Sequence, residues 1–283
     1  MPDRGGRRSF DVSASQAQVR PHRQTKRISC PPGHSQVPMA RKNTKAKFAE
    51  LVHRSISDNV FRAIQADALA TEIASRRSWI NNMGHGRVFS TVQLVLADEL
   101  VLSVTRMFDP PHPKYPTQRI PALLQFMEKR ARWLPLHSRL PLERLLAAAG
   151  ASPRDLRSAR DRDLTRLAAA HYRARVPDPA RSGILSTALR TLRFRRNKQI
   201  AHAQAVSPRK RARAAWNDAR ALLEWALTFA DVIGAAYLDY YFLASDGRTY
   251  LADRQARAAT RDLASVLDRA GLQRGRFRRR GAA

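Results

Sequence analysis

Between residues 45 and 272 the apolar residues recur at helical spacing, segment after segment, and almost nothing alternates with period two. That pattern excludes a sheet and predicts a bundle of helices. Lys45 to about Arg76 reads as one long helix, with Phe48, Leu51, Val52, Ile56, Val60, Ile64 and Leu69 near one face. Asn81-Asn82-Met83-Gly84-His85-Gly86 breaks it. Arg87 to about Phe108 is apolar almost all round and is expected to lie centrally. Asp109-Pro110-Pro111-His112-Pro113 ends it, and shorter helices are predicted over 120–132, 141–149 and 152–174. The last opens on Ser152-Pro153, a residue able to cap followed by proline at the first helical position. After Val176-Pro177-Asp178-Pro179, helices are expected over 184–204, 210–243 and 254–272.

The ends of the chain differ from this body. Residues 1–44 are rich in Arg, Ser, Gln, Pro and Gly without a sustained period, and residues 273–283 are again basic. Residues 1–42 hold nine basic side chains against Asp3 and Asp11, a net of +7. The whole chain carries 52 Lys+Arg against 23 Asp+Glu, a formal charge of +29, so the body between the tails is basic as well. A GC-rich genome accounts for arginine replacing lysine, but not for so large an excess of bases over acids. Charge of this size favours a polyanionic partner, nucleic acid before membrane surface, through phosphate neutralisation and counterion release.

Several classes are set aside. The most apolar stretch, Leu222 to Ala244, carries Glu224, Asp231 and Asp239, so no membrane span is expected. No apolar segment follows the basic N-terminus, which predicts no secretory signal. The lone Cys30 cannot form an internal disulfide, and a cytoplasmic location is expected. No histidine or cysteine pair has metal-ligand spacing, Gly84-His85-Gly86 lacks the third glycine of a dinucleotide loop, and no cofactor is expected.

The chemistry-bearing stretch is Arg196-Asn197-Lys198-Gln199-Ile200-Ala201-His202, preceded by Arg193 and Arg195. An arginine, a polar residue and a histidine after a gap of five resemble the signature of the HEPN superfamily. A second stretch, residues 95–110 (VLADELVLSVTRMFDP), resembles the helix ending in a Ser/Thr-Arg-hydrophobic-x-Asp-Pro turn of the AbiU-like, abortive-infection branch. The order of segments is similar too, over residues 45–245, with 246–272 as an added amphipathic helix. The branch often carries an acidic residue soon after the histidine, where this chain has Ala203-Gln204. The resemblance implies an all-α, HEPN-like helical bundle with disordered basic tails, a homodimer, and metal-independent cleavage of RNA of the toxin–antitoxin or phage-defence kind. It also implies an antitoxin or nucleotidyltransferase as a further partner.

The residues support such chemistry independently. Arg196 and His202 are about 120° apart on a straight helix, so two copies of the stretch meeting at a shared cleft would focus them better than one. Cations around His202 favour the neutral imidazole, which can accept a proton from a ribose 2′-hydroxyl. Arg196 would stabilise the charged transition state, with Arg193, Arg195, Asn197 and Lys198 supporting the substrate. The plainer alternative has His202 capping the helix and the arginines forming a solvated face. Arg106 with Asp98 and Asp109 reads as an internal ion pair tying the helix to its following loop. Glu224, Asp231 and Asp239 spread over about 22 Å of helix, too far for one ion.

Overall fold

The computed structural model describes residues 36–110, 119–197, 212–239 and 250–272. The first helix, α1 (Gln36–Val52), begins ahead of the boundary at 45 read from the sequence. Pro38 lies in its first turn, where the missing N–H costs no helical bond, and so does not act as the breaker it resembles. A π turn (His53–Ser57) joins α1 to α2 (Asp58–Ser75), so the predicted long helix is one rod with a bulge. The Asp58 N–H donates to the His53 carbonyl five residues back, and the Ser57 hydroxyl donates to Val52 O.

After the short α3 (Arg77–Asn82), Gly84 at φ +76° supplies the reversal and α4 (Gly86–Phe108) runs back along α2. Only the second half of α4 is central. Ala97, Leu100, Val101, Val104, Met107 and Phe108 are buried, whereas Val88 and Val95 are each 63% exposed and Val92 and Leu94 are also exposed. The expectation of a wholly central helix is therefore corrected: composition made it apolar all round, but its neighbours cover one side and one end. By length and composition α4 is long and apolar enough to cross a membrane, a property the sequence analysis placed nowhere in the chain. It nevertheless carries Asp98 and Glu99 near its middle, and both are engaged by other side chains.

The remaining helices complete the bundle. They are α5 (Ile120–Arg130, extended by a 3₁₀ turn to Trp133), α6 (Leu140–Ala148), α7 (Pro153–Ser158), α8 (Asp161–Arg175), α9 (Ile184–Arg195), α10 (Ala212–Tyr237) and α11 (Tyr250–Arg269). Among the described residues there is no strand. The single helix expected over 152–174 is two, and Ser152 makes no side-chain cap, although Pro153 does open α7. The break at Ala159-Arg160 has a tertiary cause. Arg139 reaches across to donate to the carbonyls of Leu156 and Ala159, each at 2.9 Å, and pairs with Glu143 and Asp161. It thereby satisfies helix-end carbonyls that would otherwise lack partners.

α10 is the central pillar, packed on α4, α6 and α9. Trp225 and Phe229 stack on it, and Tyr172 of α8 meets Phe229 edge-on at 4.7 Å. Phe48, Leu100, Met107, Leu123, Leu189 and Phe229 are fully buried in one continuous core, each contributing about 1.5–3 kcal/mol by area. A smaller cluster of Ile73, Ile80, Leu267 and Leu272 docks α11 on α2 and α3. Arg76 sits inside that junction. It donates to Glu72 at 2.8 Å and also to Asp268 and to the Leu272 carbonyl.

Of the three acids read as one stripe, Glu224 and Asp231 lie on α10 and Asp239 falls past its end. Asp239, at φ +57° just beyond the helix, pairs with His137 at 2.8 Å. The N–H groups of His137 and Ser138 donate to the Ala236 carbonyl, which fastens the 134–139 loop to the end of α10.

Candidate functional site

Three chain segments converge at the C-terminal end of α4: the α4 terminus with Asp109 and Pro110, Arg119 just ahead of α5, and the last turn of α9. Pro110 stops α4, which leaves Phe108 O without a helical partner. Arg193 of α9 donates to that carbonyl at 2.8 Å. Asp109, in extended backbone past the helix, turns a nearly buried carboxylate toward α9.

That carboxylate organises the site. Arg196 Nη1 reaches both of its oxygens, at 2.9 and 2.8 Å, and lies 3.4 Å from the Thr105 hydroxyl. Thr105 is fully buried and donates to Val101 O at 2.7 Å, so its remaining lone pairs face the guanidinium. Arg193 Nε and Arg119 Nη1 each stand 3.4 Å from one Asp109 oxygen, and Arg119 also donates to Pro110 O. Arg196 Nε donates to its neighbour Asn197 at 3.2 Å. The helix itself loosens into a π turn at 196–197, which rotates these side chains away from regular helical positions.

Three guanidinium groups thus surround one carboxylate, and although the charge of Asp178 also reaches Arg193, the cations outnumber the acids. Burial pushes Arg119 below its usual value; Asp109 opposes that shift and the Arg196 charge adds to it. Arg193 is lowered for the same leading reason, burial, again with Asp109 opposing and Arg196 reinforcing. The cluster is a concentration of cationic donors short of counter-charge, which is what a phosphate-directed site requires.

The sequence-derived residues fall into three groups. Arg193, Arg196 and Asn197 lie in one cluster. Arg195 is not on that surface: it is buried, and pairs with Asp98 across α4 at 2.9 Å, so it serves helix packing rather than a substrate. Lys198 and His202 lie outside the described residues. The proposed ion pair of Arg106 with Asp98 and Asp109 is corrected. Arg106 is exposed, and the partners of both acids come from α9 and, for Asp109, also from Arg119. Adjacency on one helix suggested Arg106, whereas the side chains that reach these carboxylates are remote in sequence. Thr105 and Arg119 were not singled out. Thr105 shares a helical face with Asp109 four residues on, a usable signal; Arg119 follows a proline-rich loop and carries none.

Among the described residues no three His, Cys, Asp or Glu side chains group in a way that could hold a metal ion.

The HEPN_AbiU2 family model, described as AbiU2, matches residues 45–260. The match starts where the sequence resemblance starts and runs past 245 into α11, so much of the last helix falls inside the matched region. No curated protein and no solved structure matches the chain.

Proposed function

The chain belongs to the AbiU2 branch of the HEPN superfamily, an abortive-infection family, and from that premise we propose that it is a metal-independent endoribonuclease of the HEPN toxin type, acting in phage defence or a toxin–antitoxin system. The observation that carries the reading is the placement of Arg196. It is fixed by Asp109 at the rim of a net-cationic cluster, in the helix turn that leads to His202.

In the proposed reaction His202 accepts the proton of a ribose 2′-hydroxyl as that oxygen attacks phosphorus. The bond to the 5′-oxygen breaks, and that oxygen takes a proton from solvent. The products are a 2′,3′-cyclic phosphate and a 5′-hydroxyl. Arg196 donates to the phosphoryl oxygens as charge develops on them, and Arg193 and Lys198 hold the strand. A second copy of the chain would bring two such stretches to one cleft. The substrate is RNA, the setting cytoplasmic, and an antitoxin or nucleotidyltransferase would be the regulating partner.

A second reading, a helical protein that binds nucleic acid without cutting it, is favoured by the charge of +29 alone. One experiment separates them: purified chain incubated with total RNA in EDTA beside a His202→Ala control. The expected result is fragments with 2′,3′-cyclic phosphate ends from the wild type and a rate lower by at least about 100-fold in the variant. Uncut RNA, or undiminished cutting by His202→Ala, would overturn the enzymatic reading.

A further inference from the structure

The Asp109 cluster holds more cationic donor capacity than its own carboxylate can absorb. Arg76, by contrast, is closed off: Glu72 and Asp268 supply two carboxylates to one guanidinium. At Asp109 the ratio is reversed, with Arg119, Arg193 and Arg196 around a single acid. Among the described residues nothing accepts from Arg196 Nη2. The three side chains remain about one-fifth exposed, so solvent, and therefore a ligand, reaches them. A cluster built only to join α4, α5 and α9 would be better served by neutrality, because crowding three partly buried cations is costly unless an anion completes them.

We infer that Arg119 is a phosphodiester-contacting residue of the RNA site, and that Asp109 is the positioning carboxylate that holds Arg119, Arg193 and Arg196 as one fork. The inference rests on the nucleic-acid reading above but not on cleavage. Arg119 reaches the cluster through its Nη1, which touches Asp109 and Pro110 O; its other nitrogens have no acceptor among the described residues. A phosphodiester brings one negative charge to a site whose guanidinium groups outnumber its acids, and the planar guanidinium groups suit its paired oxygens. Asp109 orders the fork at the cost of competing weakly with the phosphate.

The test is fluorescence anisotropy of a short labelled single-stranded RNA with the full chain, over a series of salt concentrations. Arg119→Ala is expected to weaken binding about tenfold and to make the log–log salt slope shallower by about 0.7. Arg119→Gln, which keeps reach without charge, reads the same quantities if the alanine variant fails to fold. Asp109→Asn is expected to weaken RNA binding, but by less than Arg119→Ala does, because the fork loses its charged anchor while a weakly competing negative charge is also removed. Unchanged affinity and slope in the Arg119 variants would overturn the inference, as would tighter binding by Asp109→Asn, which would mean that Asp109 only competes with the phosphate and orders no fork. Inorganic phosphate at constant ionic strength provides the remaining arm. If it raises the melting temperature of the wild type but not of Arg119→Gln, while RNA affinity is equal in both, the cluster holds a free anion and the inference fails. Loss of RNA affinity in the Arg119 variants of a chain that cuts no RNA would sustain it even though the enzymatic reading had fallen.

Discussion

Two arginine sites, built from the same side chain, sit in this fold with opposite charge balance. At the α2–α11 junction Arg76 is 1% exposed and held between Glu72, Asp268 and the Leu272 carbonyl. At the α4–α9 junction Arg119, Arg193 and Arg196 share Asp109. The acids raise the Arg76 pKa against the opposing effect of burial, whereas burial lowers Arg119 and Arg193. The first site is neutralised within the chain; the second keeps more guanidinium groups than carboxylates. Counting guanidinium groups against carboxylates thus separates an arginine that holds the fold from arginines that await a ligand, more sharply than arginine content does in so basic a chain.

The largest expected effect tests the closed site. Arg76→Ala removes the guanidinium from the buried Glu72 and releases the end of α11, and should destabilise the protein by about 3–5 kcal/mol in urea unfolding. A loss below about 1 kcal/mol would show that the apolar contacts of Ile73, Leu267 and Leu272 hold α11 without it.

A middle case is Arg139, about one-third exposed yet bonded to Glu143, Asp161 and two helix-end carbonyls. Arg139→Ala should cost about 1–2 kcal/mol, since the freed carbonyls of Leu156 and Ala159 regain water only in part. An unchanged urea midpoint would move Arg139 from the structural class to the solvated surface.

The open site should respond in reverse. Arg196→Ala reduces the local cationic excess and leaves Asp109 with Arg119 and Arg193, so stability should change by less than about 1 kcal/mol while RNA cleavage is lost. A loss as large as that for Arg76→Ala would erase the distinction between the two junctions.

What the sequence disclosed follows the range of the interactions involved. Helices bounded by proline or glycine were legible, because Asp109-Pro110, Pro177 and Gly84 act locally. The division between α7 and α8 was not, because Arg139 imposes it from another loop. The all-round apolar pattern of α4 gave the helix, yet could not say that Val88 and Val95 would remain uncovered. At the site, the motif pointed to Arg196 and the Asp-Pro turn to Asp109, as two separate stretches. Their contact, one Arg196 nitrogen to both Asp109 oxygens, is a tertiary fact. Asp109 was assigned to Arg106, its near neighbour in sequence, and Arg195 to the substrate, because spacing alone cannot tell which arginines of a dense run face inward.

The smallest expected effect concerns a third way of settling crowded cations, in which one of them gives up its proton. Arg175 donates to His171 Nδ1 at 2.8 Å, one turn away on α8. Partial burial lowers the His171 pKa from its usual 6.5, and the Arg175 charge lowers it further. The folded state therefore holds neutral imidazole where the unfolded chain would already bind a proton. Above about pH 7 both states are neutral and His171 adds no pH dependence; as pH falls through the unfolded value toward the lowered folded one, the unfolded chain binds more protons and stability declines. His171→Gln removes this contribution while leaving the carboxylates common to both proteins. The stability of the wild type relative to the variant should therefore be lower at about pH 5 than at about pH 8, by a fraction of what Arg139→Ala costs. Urea midpoints of the two proteins at both pH values measure it. A relative stability that rose on acidification would mean that His171 gains a proton on folding, and that Arg175 does not act on it as a neighbouring cation.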